Sequence, residues 1–223
     1  MTRRYDLVVF DWDGTLADST AIIARALQRA CLDVGCAEPD EVNARYVIGL
    51  GLVDALRHLA PGLSPEHYPR LSARYREHYL AQEDAIPLYA GARELLEDLR
   101  SQGHALAVAT GKSRAGLDRA LAFHALRDVF AVTRCADEGR PKPHPEMLEH
   151  IMERLGADRG RVLMVGDTTH DLQMAAAAGV DSVAMSHGAH AAHMLAGASC
   201  GVCASIAELA NLIGAPRSGQ ATD

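Results

Sequence analysis

Short apolar runs recur along the chain, and most end in a cluster of polar residues. Leu7-Val8-Val9-Phe10 runs into Asp11; residues 104–110, HALAVAT, run into Gly111-Lys112; residues 161–166, RVLMVG, run into Asp167; residues 180–185, VDSVAM, form a fourth. Such runs, largely apolar on both faces and rich in β-branched or aromatic side chains, predict buried strands. Residues 91–103, 145–156 and 171–179 carry helical apolar spacing instead, each closed by a glycine. Strand and helix alternate, so the pattern predicts an α/β fold: a doubly wound parallel sheet with helices on both faces.

Residues 17–86 break the alternation. They show no strand pattern, while residues 19–35, 40–49, 52–60 and 65–82 have helical spacing, interrupted at Gly35, Gly49, Gly51 and Pro61-Gly62. The alternation resumes at Pro87. The expected organisation is a discontinuous core of residues 1–16 and 87–213, a smaller all-helical insertion at 17–86, and a disordered tail at 214–223.

Composition narrows the class. The 223 residues can bury a substantial core, and 48% hydrophobic with 23% charged residues is ordinary for a globular protein. A net charge of −7 with no basic stripe speaks against nucleic-acid binding. No apolar run reaches the length of a membrane span, and the run after Arg3-Arg4 stops at Asp11, too soon for a signal peptide. Five cysteines at irregular spacing fit a reducing compartment. A cytoplasmic monomer or homodimer is expected, without nucleic-acid or membrane partners.

The polar clusters carry the chemistry. In an open parallel sheet, ligands bind outside the carboxyl ends of the strands. Asp11 and Asp13, Thr110 and Lys112, and Asp167 and Asp171 all stand there, with Lys142 in the Pro-rich loop GRPKPHPEM. A turn at Asp13-Gly14 and a helix cap at Asp18 or Ser19 would account for part of the first cluster. They leave Asp11 and Asp13 unexplained, because crowded carboxylates repel and are costly to desolvate. A divalent cation would resolve the repulsion, and an oxygen donor set suits Mg²⁺. Of the 22 basic residues only Lys112 and Lys142 are lysines. Where Arg is so favoured, a Lys suggests a need for a compact point charge. Lys142, held between prolines, is assigned such a role; Lys112, expected in an exposed turn, is not.

In chain order, Asp11-Trp12-Asp13-Gly14-Thr15, Thr110, Lys142 and Gly166-Asp167 through Asp171 resemble the four motifs of the haloacid dehalogenase-like (HAD) hydrolases with an inserted helical cap. The likeness covers nearly the whole chain and is most similar to the phosphoglycolate phosphatase-like branch. It implies a Rossmann-like HAD core and a cap at 17–86. It also implies that Asp11 is a nucleophile forming an aspartyl-phosphate, and that Asp13 serves as acid and then base. Mg²⁺ would be held by Asp11, the Asp13 carbonyl, Asp167 and Asp171. Thr110 and Lys142 would hold the phosphoryl group, with Gly14 and Gly111 beside them. Arg45 and Gly49 lie where related caps present a loop to the substrate. The expected activity is Mg²⁺-dependent hydrolysis of a small phosphorylated metabolite.

Rival chemistries of the same fold sort by residue. Haloacid dehalogenation lacks the second aspartate of the first motif, and Asp13 is present. Phosphonoacetaldehyde hydrolysis needs a cap lysine, and residues 17–86 contain none. A β-phosphoglucomutase-like sugar phosphomutase uses the same aspartate pair and stays as an alternative, as does a non-catalytic phospholigand-binding protein. Cys200 and Cys203, without a second pair, read as packing residues. His187, His190 and His193 drift around a helix at steps of three and do not read as a metal site; His187 follows a strand end and is placed at the site's border. His170 reads as a tolerated slot between Asp167 and Asp171.

Overall fold

The protein's computed structural model describes residues 4–214. All but the first residue of the expected tail therefore lies outside the described residues, and Gly214 itself ends a helix. Six parallel strands form one sheet: β1 (Leu7–Phe10), β2 (Ala105–Thr110), β3 (Val132–Cys135), β4 (Val162–Gly166), β5 (Asp181–Met185) and β6 (Val202–Cys203). Their order is β3-β2-β1-β4-β5-β6. The order reverses at β1, so a crevice opens at the carboxyl end of the central strand.

Helices α1 (Thr20–Asp33), α2 (Glu41–Tyr46), α3 (Leu52–Leu59) and α4 (Tyr68–Leu80) intervene between β1 and the helix leading to β2. The remaining helices are α5 (Ala92–Ser101), α6 (Arg114–Phe123), α7 (Glu146–Leu155), α8 (Thr169–Ala178) and α9 (Ile206–Gly214). Side chains of a strand alternate between faces, which decides what covers each side of β1. Leu7 and Val9 pack with Met147 and Ile151 of α7 and Met174 of α8. Val8 and Phe10 join the cluster containing Leu95 and Leu99 of α5 and Leu209 of α9. The sheet is thus covered on both faces.

The chain leaves and re-enters the core at adjacent points. Asp18 N–H donates to the Pro87 carbonyl at 2.9 Å, and Tyr89 N–H donates to the Leu16 carbonyl at 2.9 Å. Strands β3 and β6 and helices α6 and α9 were not among the expected elements. Strand β3 is only half-buried over most of its length and β6 is two residues long, so neither carries an apolar run. No helix among the described residues is long and apolar enough to cross a membrane.

Candidate active site

Strands β1 and β4 are paired with Phe10 opposite Val165, and Asp11 N–H donates to the Val165 carbonyl at 2.8 Å. This register places Asp11 and Asp167 beside one another, just past adjacent strand ends. Both side chains are buried, as are Asp171, at the start of α8, and Lys142, from the loop before α7. Lys142 Nζ lies 2.9 Å from Asp11 Oδ1 and 2.6 Å from Asp171 Oδ1. Asp171 Oδ2 accepts from the Thr168 N–H at 3.1 Å and hydroxyl at 2.7 Å, closing a capping box on α8. Asp167 accepts from the Thr15 hydroxyl at 2.9 Å and from the Ala189 N–H at 2.6 Å. Each carboxylate is oriented by the backbone or by a hydroxyl, not by solvent.

The electrostatics of the cluster suit a cation. Oxygens of Asp11, Asp167 and Asp171 lie within 4.8 Å of one another. With all three carboxylates ionised, the one ammonium of Lys142 leaves two negative charges uncompensated. Burial pushes the Asp11 carboxyl up to about 7, with Lys142 opposing and Asp171 adding to the rise. Burial, with Asp11 and Asp171 nearby, also raises Asp167 well above the usual carboxylate range. For Lys142, burial works against the charge, yet Asp11 and Asp171 outweigh it and hold the ammonium above its ordinary range. Asp11 Oδ2 is buried and has no hydrogen-bond partner. An all-oxygen cluster two charges short, with an orphaned carboxylate oxygen, fits a divalent cation.

Gly14 lies against this cluster with φ of +80°. A Cβ there would sit 2.1 Å from Asp167 Oδ2, so a side chain is excluded on two counts. Thr110 ends β2, is buried, and its Oγ1 accepts from the Lys112 N–H at 3.2 Å. Gly111 touches the insertion directly: a Cβ on it would meet the Leu50 carbonyl oxygen at 2.6 Å. Gly49, at φ +93°, lies on the Thr168 side chain. The Gly49 and Leu50 carbonyls therefore lie against the Gly111 backbone beside the site, while Gly51 meets the Pro141 side chain. Arg45 does not line the cavity described below; its guanidinium bonds Glu41 at 3.0 Å and the hydroxyl of Thr20 at 3.2 Å, and the Thr20 side chain packs beside Gly14 and Asp167.

Asp13 has a partner that the sequence reading discounted. Lys112, expected in an exposed turn, is almost fully covered, with its Nζ 3.3 Å from Asp13 Oδ2. The ammonium also donates to the Tyr79 hydroxyl of α4 at 2.7 Å, so it ties α4 to the end of β2. The scarcity of lysine, applied to Lys142, would have found Lys112 as well. Ser19 begins α1 without a side-chain capping bond; its hydroxyl donates to Asp13 Oδ1 at 2.8 Å. Asp18 is exposed.

The histidines divide. His170 is no idle slot: it is buried, and its Nε2 lies 2.9 Å from the Tyr46 carbonyl. His190 accepts from the Thr169 N–H at Nδ1 (3.0 Å), which leaves Nε2 to donate to the same carbonyl at 3.0 Å. His190 stacks on the Tyr46 ring at 5.3 Å. Both histidines thus fasten the end of α2 to the core, with burial lowering their proton affinity. His187 stacks on Tyr89 at 3.9 Å near the Thr15 carbonyl, and His193 is exposed. Cys200 and Cys203 are free thiols, and Cys203 is buried.

A cavity of about 700 Å³ opens from Asp11, Asp13, Thr110 and Gly111 toward α1, α3 and α4. Carboxylates, a hydroxyl and the Lys112 ammonium thus line one end of the cavity, whose far side is partly open to solvent.

The chain is similar to known proteins in sequence and in fold. The family model described as "Haloacid dehalogenase-like hydrolase" matches residues 8–185. "Probable phosphatase IndB" of Dickeya dadantii is 37% identical over 196 residues, covering 85% of this chain and 84% of that protein. A phosphoglycolate phosphatase of Aliivibrio fischeri is 33% identical, covering 84% of this chain and 87% of its own. In fold, the crystal structure of a hydrolase from Pseudomonas syringae superposes with a TM-score of 0.84 at 23% identity, covering 92% of this chain and 95% of that one.

Proposed function

The chain belongs to the haloacid dehalogenase-like hydrolase family, and from that premise we propose that it is a Mg²⁺-dependent phosphatase of small phosphomonoester metabolites. The observation that carries the reading is the buried group of Asp11, Asp167 and Asp171, with Lys142 paired to Asp11 and Asp171 and with Asp13 lining the cavity beside Asp11. Similarity to proteins named as phosphatases supports it. Residues 17–86 act in this reading as a cap domain, supported by the side-by-side entry and exit of the chain at Asp18 and Pro87.

The residues divide the work as follows. An Asp11 carboxylate oxygen attacks phosphorus in line, the bond from phosphorus to the alcohol oxygen breaks, and an aspartyl-phosphate results. Asp13 gives its proton to the departing alkoxide, then takes one from the water that attacks the aspartyl-phosphate and frees inorganic phosphate. Asp13 is held for this by the Ser19 hydroxyl and Lys112. Thr110 and Lys142 hold phosphoryl oxygens, and Lys142 also balances the charge on Asp11. Asp11, Asp167, Asp171 and the Asp13 carbonyl would hold Mg²⁺, which screens the repulsion between an anionic nucleophile and an anionic ester. Gly49 and Gly111 form the seam through which the cap meets the site.

The experiment is phosphate release from a panel of phosphomonoesters, with Mg²⁺ and with chelator, beside the Asp11→Asn protein. Hydrolysis that needs both Mg²⁺ and Asp11 upholds the reading. Phosphoryl uptake on Asp11 without hydrolysis would instead favour a mutase, and activity indifferent to chelator would refute the metal role.

A further inference from the structure

The phosphatase reading leaves the alcohol part of the ester open, and the wall of the cavity bears on it. Its volume, about 700 Å³, falls within the roughly 300–1,000 Å³ of sites that enclose a drug-sized ligand. A two-carbon glycolate would occupy one corner of it. Away from the Asp13 end the lining is mostly apolar: Ile23 and Leu27 of α1, Ile48, Leu52 and Ala55, and the Tyr75 ring of α4.

The charges on the wall discourage a second anionic group. Three cations line it among the described residues. Lys112 is engaged by Asp13 and Tyr79, Arg119 is paired with Glu83 at 2.7 Å, and Arg76 lies exposed. Asp54, 3.9 Å from Arg57, and Asp137, which accepts from the Arg114 N–H at 2.9 Å, also line the cavity; with Asp11 and Asp13 they set four carboxylates against the three cations, so the wall offers a second carboxylate no surplus of positive charge. A sugar fares little better, since hydroxyls against an aliphatic wall lose their water partners without replacement.

We infer that the substrate is a phosphomonoester whose alcohol carries an apolar alkyl or aryl body, seated between α1, α3 and α4. The inference rests on the phosphatase reading and narrows it. Ile23, Leu27 and Ala55 are then specificity determinants, and phosphoglycolate is a poor substrate despite the names of similar proteins.

The test is kcat/KM for straight-chain alkyl phosphates from ethyl to hexyl, with phosphoglycolate alongside, in Mg²⁺. Burial of each methylene should raise kcat/KM about fourfold until the cavity is filled. Phosphoglycolate should fall at least about tenfold below hexyl phosphate, the equivalent of less than two methylenes. Leu27→Asn should flatten the series; if that protein does not fold, Ala55→Leu should cut off the longest esters first. Titration calorimetry of the Asp11→Asn protein with the same esters reads the cavity apart from turnover. A flat series or a preference for phosphoglycolate, with Mg²⁺- and Asp11-dependent hydrolysis intact, overturns the inference and leaves the phosphatase reading standing. If no ester is hydrolysed, the phosphatase reading falls; affinity that still climbs with chain length then supports the apolar site, and affinity that does not overturns it.

Discussion

Lys142 Nζ sits 2.6 Å from Asp171 Oδ1, nearer than its 2.9 Å to Asp11 Oδ1. Asp171 is in turn fixed by the capping box that starts α8. The aspartate after β4 thus orients the lysine that neutralises the aspartate after β1. One ammonium held between two buried carboxylates has no solvent to fall back on, so its removal should be felt in stability as well as rate.

Lys142→Ala should therefore lose most of the turnover and also destabilise the metal-free protein by about 3–5 kcal/mol, the cost of stripping one partner from a buried ion pair. Added Mg²⁺ should recover part of that loss, since it supplies charge to the same carboxylates. Denaturant unfolding with Mg²⁺ and with chelator, next to phosphate release, checks both halves. Wild-type stability and near-normal kinetics would return Lys142 to an incidental role.

The Asp11 carboxyl, pushed up to about 7 by burial, makes a prediction about pH. In the unfolded chain the same group has a pKa of about 3.9. The folded state holds the proton more tightly, so this contribution to stability is complete below pH ~4 and is lost as pH rises to about 7. Asp167 shifts in the same direction. In chelator, the melting temperature should decline across that window, while Mg²⁺ should stabilise the protein increasingly as protons leave. Parallel melting curves with and without Mg²⁺ from pH 4.5 to 8 would contradict the assignment of these carboxylates to a metal.

Much of this was legible because local pattern and function coincide at β1. An apolar run ending in Asp11 and Asp13 can hardly be anything but a strand presenting acids at its carboxyl end. The partners of those acids were not legible, since they depend on contacts across the fold. Lys112 looked like a turn residue until Tyr79, in an inserted helix 33 positions away, closed over it. Ser19 looked like a helix cap, and its hydroxyl was drawn instead to Asp13. His170 and His190 gain their purpose only from the Tyr46 carbonyl, which no periodicity brings to them. Strand β3 was hidden for the opposite reason: its half-buried edge position asks for no apolar run.

The contact between Gly111 and the Gly49-Leu50 backbone offers a test of the proposed cap. A Cβ on Gly111 would fall 2.6 Å from the Leu50 carbonyl oxygen and 2.7 Å from that of Gly49, both backbone atoms with little freedom to give way. Gly111→Ala should push the loop off the core and reduce kcat/KM by about a hundredfold, as an ångström of misplacement can. Because the change lies at a seam and not in the core, stability should fall by no more than about 1–3 kcal/mol. Kinetics together with unfolding would tell this apart from general damage; unchanged kcat/KM would mean that the seam does not matter to the reaction.

Asp11→Asn separates chemistry from architecture most cleanly. The amide is nearly the same size, and the Trp12 N–H, which donates to Asp11 Oδ1 at 2.6 Å, still finds an oxygen to bond. The neutral group cannot form the aspartyl-phosphate, so turnover should fall by at least about a thousandfold. Stability should move the other way. Removing one of three crowded carboxylates lowers the uncompensated charge from two to one, so the metal-free protein should melt higher at pH 8 than the wild type. The Mg²⁺-induced shift should shrink for the same reason. Residual turnover near the wild-type rate would disprove the nucleophile. A dead protein that melts lower in chelator would show that Asp11 contributes to the fold chiefly through its pairing with Lys142.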